Sequence, residues 1–280
     1  MVDVRISYFK PGSLEEISEL KVQEGSHLFS GGTDLFVKIR YGVFKPKMLI
    51  DTKGVRDDPK FDGEKLIIPM NTTYSELLDM GEVMKDFPLL EDAMKEVGSP
   101  QIRNRGTPVG NVCNASPAGD FLLTATVMDA DVVIAPKMRK MKLKEFVKGP
   151  GIVDLKNGEF LYSIEIPRWQ GYEHYFEKVG RRNAMNISIA SIALLIRFNG
   201  DVVEDVKIGF GSVGPRIVMY EDLEERMKGM KLNESLVDEI SREYMRRIEP
   251  ITDLRATKRY RKILVRNLLL KAFHLLKGVV

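Results

Sequence analysis

Cysteine occurs once in the 280 residues, at Cys113. A single thiol excludes an intrachain disulfide, and it excludes a cysteine-ligated iron–sulfur cluster or structural zinc held by this chain alone. Histidine is nearly as scarce. His27, His174 and His274 are the only imidazoles, and no two of them fall at the helical spacing of a metal site, so no catalytic metal is expected. A dominant sign of charge is also missing: 43 basic and 40 acidic residues leave a formal charge of +3, too little to argue for nucleic acid or an anionic membrane. No apolar run approaches the roughly 20 residues that cross a bilayer. No charged-then-apolar leader follows Met1, and a soluble, cytoplasmic protein is the expectation.

What is present is a 44% hydrophobic chain, long enough to bury a sizeable core as one large domain or two smaller ones. Val4 to Phe9 alternates as a strand, Pro11-Gly12 breaks it, and Ser13-Leu14-Glu15-Glu16 reads as a capping box that opens a helix. His27-Leu28-Phe29 is strand-like and runs into Ser30-Gly31-Gly32-Thr33-Asp34, a tight turn that brings backbone amides close to a ligand. Met48 to Asp51 and Leu66 to Ile68 read as strands. Thr73-Tyr74-Ser75-Glu76 repeats the capping-box pattern, and Pro88 to Val97 reads as a helix stopped at Gly98. From Gly98 to Asp120 the periodicity disappears, which predicts a long loop rich in Gly, Pro and Asn. Interspersed Ile102, Val109 and Val112 make that loop functional rather than disordered.

Strands follow at Val132 to Ala135 and Phe160 to Ile166. Beyond Trp169-Gln170-Gly171 the texture shifts to longer strand-like runs, Tyr172 to Val179, Ile187 to Phe198 and Val206 to Gly211, with Asn199-Gly200 as a hairpin turn. From Met219 onward helical periodicity takes over, with Leu236, Val237, Ile240, Tyr244 and Ile248 on one stripe and a last helix from Lys258 to Leu276. The shift predicts a first domain over 1–170 and a separate α+β unit, antiparallel sheet plus helices, over 171–280.

The two glycine-bearing loops are candidate phosphate cradles. Neither is a Walker loop or a G-x-G-x-x-G fingerprint, and a Gly-Gly turn alone equally suits a plain strand-to-helix connection. The residues themselves carry more. Leu28-Phe29-Ser30-Gly31-Gly32-Thr33-Asp34-Leu35 with Lys38 resembles the first FAD-binding segment of the flavoprotein subunits of molybdenum hydroxylases, the xanthine dehydrogenase and aerobic carbon monoxide dehydrogenase group. Arg103 to Asn111, continuing through Ala115 to Asp120, is similar to the second. Further matches are Leu161 to Pro167, Lys178 to Arg182 with Ile187, Gly209 to Arg216, Asp253-Leu254-Arg255 and Tyr260-Arg261, so the resemblance spans essentially the whole chain.

The resemblance implies an α+β protein: an FAD-binding fold of the vanillyl-alcohol oxidase (PCMH) type, made of two α/β subdomains, followed by a smaller C-terminal domain of the CO dehydrogenase flavoprotein type. It implies that Leu28, Phe29, Ser30, Gly31, Gly32, Thr33, Asp34 and Leu35 cradle FAD together with Thr107, Val109, Gly110 and Asn111, and that Asp120, Leu161 and Lys178 also contact it. No side chain is implied as a catalytic acid or base. The molybdopterin cofactor would sit on a large partner subunit and the [2Fe-2S] clusters on a small one, with NAD or a quinone as acceptor, in a hetero-oligomer.

Elementary chemistry adjusts this picture. Pro108 has no N–H, so the second loop must donate from Thr107, Val109, Gly110 or Asn111, and Thr107, Gly110 and Asn111 become the residues to test. Val109 replaces a common glycine and requires negative φ there. Val97 removes an aromatic residue found in some relatives, and Asn186 stands where a carboxylate is frequent. Asp120 also reads as an N-cap for the segment beginning at Phe121, and Lys178 otherwise as a solvated lysine. Cys113 is expected as a small buried residue, Trp169 as boundary packing, and the basic run from Lys137 to Lys142 as a solvated face or a partner contact. Arg255, Lys258, Arg259, Arg261 and Lys262 are expected mostly on the polar side of a helix. Two other functions fit the same fold. A stand-alone flavin oxidoreductase would need a substrate base and often a histidyl–FAD link, and the three histidines lie outside both FAD segments. A non-catalytic protein that has lost FAD is the other.

Overall fold

The computed structural model describes residues 6–182 and 185–277. Val4 and Arg5 of the first expected strand lie outside them. The chain opens as β1 (Ser7–Phe9), α1 (Leu14–Lys21), β2 (Ser26–Phe29), α2 (Leu35–Arg40) and β3 (Met48–Asp51), a parallel sheet in the order β1-β3-β2. Parallel strands need a crossover between them. At the start of α1 only half of the expected capping box forms: Ser13 accepts from the Glu16 amide, but the Glu16 carboxylate reaches past it to the Gly12 amide at 2.7 Å.

The second layer begins with β4 (Lys60–Phe61) and β5 (Lys65–Pro69), followed by α3 (Tyr74–Leu78), α4 (Gly81–Met84), α5 (Pro88–Lys95), α6 (Pro100–Arg103), α7 (Pro108–Asn114) and α8 (Asp120–Val127). The box at Thr73 is complete in both directions. Next come β6 (Asp131–Ala135), β7 (Arg139–Lys142), α9 (Leu143–Phe146), β8 (Val147–Gly149), β9 (Ile152–Val153) and β10 (Phe160–Pro167). β10 pairs antiparallel with β5 and β6 at the centre of a five-stranded sheet, β4-β5-β10-β6-β7. The basic run over 137–142 is largely satisfied within this sheet: Arg139 pairs with Glu159, Lys140 with Asp131 and Glu165, and Lys142 with Asp129 and Asp131.

The expected loop over 98–120 is a correction, because it contains α6 and α7. Helices of four and seven residues are too short to display a 3.6-residue period. Their signals are local instead: Ser99-Pro100 and Thr107-Pro108 each put an N-cap hydroxyl before a proline at the first helical position.

The C-terminal part contains β11 (Glu173–Val179), β12 (Ala190–Asn199) and β13 (Val202–Gly211), an antiparallel sheet with β12 central, then α10 (Glu221–Met227), α11 (Glu234–Arg247) and α12 (Lys258–Lys277). β13 begins four residues before the expected start, because Glu204 carries its charge outward to Arg197 on β12 and so interrupts the apolar run without interrupting the strand. Alternation along β12 divides it between two cores. Ala193 and Leu195 belong to the core of the five-stranded sheet, whereas Ile192, Leu194 and Ile196 belong to the core under α11 and α12. α8 lies between the layers, and all eight of its residues are buried. Gly209 on β13 allows that approach, since a Cβ there would stand 2.4 Å from a Val127 methyl. Arg261 departs from the expected polar helix face. It is 1% exposed, its guanidinium donates to the Ile189 and Ser212 carbonyls and to Asp253, and it ties α12 to the sheet.

Candidate cofactor site

β2 delivers the chain to the first glycine turn, and β3 and the residues after it hold that turn in place. Thr52 Oγ1 donates to the Phe29 carbonyl at 3.1 Å and Lys53 Nζ to the Ser30 carbonyl at 3.0 Å, while the Asn71 amide group donates to the carbonyls of Thr52 and Val55. These contacts consume acceptors and leave donors free. The amides of Gly31, Gly32, Thr33 and Asp34 donate to no group among the described residues. Consecutive free amides of this kind form an anion-binding concavity.

The second loop is the N-terminus of α7, and the sequence-level donor assignment changes there. Thr107 caps the helix by accepting from the Gly110 amide at 3.0 Å, and the Asn111 amide donates to the Thr107 carbonyl at 3.0 Å. Both of those amides are spent inside the chain. With Pro108 lacking an N–H, Val109 supplies the first-turn amide without an acceptor among the described residues. Its helical backbone meets the requirement for negative φ, and its side chain is buried in the same core as Leu161. The two loops cross in contact. A Cβ on Gly31 would stand 1.9 Å from the Arg105 carbonyl oxygen, and the Tyr74 amide holds the adjoining Gly106 carbonyl at 3.1 Å.

Beside this crossing lies a group of buried polar side chains. Asp120 is the first helical residue of α8 and not its cap, a role taken by Gly119 without a side-chain bond. The Asp120 carboxylate instead accepts from Lys178 Nζ at 2.8 Å, and the same ammonium donates to the Glu96 carbonyl at 2.5 Å. Lys178 is therefore no solvated lysine: its side chain is 7% exposed. Burial pushes the Asp120 carboxyl up to about 6 although Lys178 opposes the rise, and Glu96 adds to it. Asp120 Oδ1, Asn111 Oδ1 and Tyr74 Oη are buried with no hydrogen-bond partner. Asn111 Oδ1 lies against Gly119, and the Tyr74 ring meets Phe121, with centroids 6.0 Å apart. Burial raises the Tyr74 phenol well above its ordinary range, and the charges of Asp120 and Asp34 raise it further. A cavity of about 440 Å³ opens next to Lys178, lined by Glu96, Phe176, Gly180, Arg182 and Asn186. A larger cleft of about 620 Å³, walled by Leu122, Val127, Trp169, Lys207 and Arg216, lies toward the other end of α8, away from both loops.

Residues 4–169 match the family described as the FAD binding domain in molybdopterin dehydrogenase, and residues 174–276 match the CO dehydrogenase flavoprotein C-terminal domain. The chain belongs to this flavoprotein family. Glyceraldehyde dehydrogenase medium chain of Sulfolobus acidocaldarius is 31% identical over 98% of this chain and 99% of its own length. The xanthine dehydrogenase FAD-binding subunit of Escherichia coli is 26% identical over 94% and 92%. Among solved structures, carbon monoxide dehydrogenase from Hydrogenophaga pseudoflava superposes with a TM-score of 0.90 at 24% identity, covering 96% of each chain. The fold is thus the FAD-binding architecture of the molybdopterin dehydrogenase flavoproteins, as its sequence motifs imply. No helix among the described residues is long and apolar enough to cross a membrane, and no three His, Cys, Asp or Glu side chains among them are grouped to hold a metal ion.

The residues present fit a dinucleotide flavin. The crossed loops offer free amides to a pyrophosphate, and three of the buried polar atoms without a partner among the described residues gather beside them, where a ligand could answer them. Of the sequence-derived set, Ser30 to Asp34, Thr107, Val109, Gly110 and Asn111 belong to the crossing loops, and Asp120 and Lys178 meet each other beside them. Leu28 and Leu161 pack on or in the core, Phe29 stacks edge-on with Phe36, and Leu35 opens α2. Sequence reasoning missed Tyr74, Glu96, Thr52, Lys53 and Asn71. The only local signal among them was Tyr74, inside a capping box and read there as helix. Cys113 takes no part in the site, and burial pushes its thiol up to about 12.

Proposed function

We propose that this chain binds FAD at the crossed loops and serves as the flavin subunit of a molybdenum hydroxylase. It would receive electrons from [2Fe-2S] clusters on a partner and release them to an acceptor such as NAD or a quinone. The observation that carries this reading is the set of buried, unpartnered oxygens at Tyr74, Asn111 and Asp120 beside the free amides of Gly31 to Asp34 and of Val109. Such groups are costly unless a ligand completes them. The amides of Gly31 to Asp34 and of Val109 would hold the pyrophosphate. Tyr74 would donate its phenolic proton to the ligand, and Lys178, anchored by Asp120 and Glu96, would place a cation at the rim of the adjoining cavity. FAD itself, when bound, supplies the redox chemistry; the protein positions it and tunes its potential.

The single cysteine supports supply of the clusters by another subunit, and names such as medium chain and FAD-binding subunit among the relatives point the same way. The domain division at 1–170 and 171–280 belongs to this proposal. The test is isolation of the tagged chain from its native cells. Flavin absorbance near one per chain, with iron and molybdenum co-purifying, is expected. A flavoprotein that is reduced by a simple substrate with neither metal present would overturn the subunit role, and a folded, colourless chain that refuses added FAD would overturn the flavin.

A further inference from the structure

Lys53, just after β3, is fixed at both ends. Asp51 caps the short turn over Thr52–Gly54 by accepting from the Lys53 amide at 3.0 Å, and Gly54 lies so near the Pro11 carbonyl that a Cβ would stand 1.9 Å from its oxygen. The backbone of the turn is pinned. At the far end of the side chain, the ammonium reaches three groups at once: the Ser30 carbonyl at 3.0 Å, Asp51 Oδ1 at 2.6 Å and the face of the Phe29 ring, 4.4 Å from its centroid. An ammonium has three protons, so none is left over for a ligand. Asp51 is itself buried and also accepts from the Tyr8 hydroxyl at 2.7 Å. Against the upward push of burial, Lys53 and Tyr8 hold its carboxyl below the usual carboxylate range, so the counter-ion of Lys53 stays charged.

We propose that Lys53 is a positioning residue for the cofactor's pyrophosphate and acts through the Ser30–Gly31 peptide. The inference rests on the functional reading above and deepens it. That peptide is trans, so its carbonyl and its N–H point in opposite directions. Drawing the Ser30 oxygen onto Lys53 therefore aims the Gly31 N–H away from the lysine, and that amide has no acceptor among the described residues. The ammonium also polarises the peptide it holds, which makes the N–H a stronger donor to an anion. Gly31 is the first of the four consecutive free amides, so fixing its peptide plane fixes where the row begins. A lysine that served only to neutralise Asp51 would behave differently: removing both charges together would leave the cofactor loop as it was.

The double variant Asp51→Asn/Lys53→Met separates the two roles, because it strands no charge and keeps a side chain of similar length. The FAD-free full chain is titrated with FAD and followed by flavin fluorescence, with urea midpoints of the same FAD-free proteins as the control for folding. Asp51→Asn alone leaves Lys53 on the Ser30 carbonyl and should bind FAD within about threefold of wild type. The double variant should bind at least about tenfold more weakly than Asp51→Asn, with the same urea midpoint. Asp51→Asn/Lys53→Arg keeps the cation and its donors and should recover most of that loss. Affinity of the methionine variant within threefold of Asp51→Asn would overturn the inference, as would an arginine variant no better than methionine. A urea midpoint that falls in step with affinity would make Lys53 a support of the fold alone and overturn it too. A folded wild-type chain that takes up no FAD refutes the functional reading and this inference with it, a result distinct from all of these.

Discussion

The crossing of the two loops and the C-terminal sheet with its helices differ in how far buried polarity is paired within the chain. In the C-terminal part, Arg261 gives its two terminal guanidinium nitrogens to two carbonyls and to Asp253, and only its Nε is left without a partner among the described residues. Against the upward push of burial, Arg255 and Arg261 hold the Asp253 carboxyl far below the usual carboxylate range. Glu224, buried under the sheet, accepts from the Ile208 amide. At the loop crossing, Tyr74, Asn111 and Asp120 each leave an oxygen unanswered, and a row of amides has no acceptor. Closed networks fix one arrangement of helices on a sheet, whereas open ones hold unspent hydrogen-bonding capacity for a ligand.

The largest expected effect would break the closed side. Arg261→Ala leaves the buried Ile189 and Ser212 carbonyls without their donor and takes one of two arginine partners from Asp253, which keeps Arg255, and it should cost at least about 3 kcal/mol in chemical denaturation. The converse experiment opens the crossing. Gly31→Ala places a methyl inside the Arg105 carbonyl, so the loops must part; FAD affinity should fall about 100-fold, near 3 kcal/mol, with the far-ultraviolet circular dichroism unchanged. Affinity within threefold of wild type would show that the crossing is not where FAD sits.

Tyr74→Phe sharpens the contrast, because it removes a hydroxyl that the chain leaves unsatisfied. Without FAD the variant should be as stable as wild type or more so. With FAD, affinity should drop roughly fivefold, the loss of about 1 kcal/mol for one hydrogen bond. Equal losses with and without FAD would mean that the phenol serves the fold alone. The remaining effect concerns pH. The Asp120 carboxyl is raised from 3.8 to about 6 on folding, so the folded chain binds its proton more tightly than the unfolded one. Its contribution to stability is fully present below about 3.8 and is lost as pH rises through about 6. Asp120→Asn should therefore flatten the stability of the FAD-free protein between pH 4 and 6, a change read from urea midpoints across that window.

Much of this contrast was legible before any coordinates. Gly31-Gly32 and Thr107-Pro108 stand in plain view, and period-2 and period-3.6 patterns locate most of the strands and the long helices. What stayed hidden has a common cause. α6 and α7 are shorter than a readable period, so their stretch looks like loop. Asp120 reads as a cap because capping is local, whereas its partner Lys178 is 58 residues away. Arg261 reads as surface because composition favours exposed arginine, and only the sheet beneath α12 shows otherwise.

By itself the sequence determined the types of the main elements, the two glycine turns and, through its single cysteine, that these 280 residues alone do not ligate an iron–sulfur cluster through cysteines. These are properties of neighbouring residues or of counts, and they need no knowledge of what meets what. Only the tertiary structure decided that Gly31 touches Arg105, that the Gly110 and Asn111 amides are spent while that of Val109 is free, and that Asp120 and Lys178 form one buried pair. The reason is physical: hydrogen bonds and steric contacts act over a few ångströms in space, and which groups come that close is settled by how the layers pack.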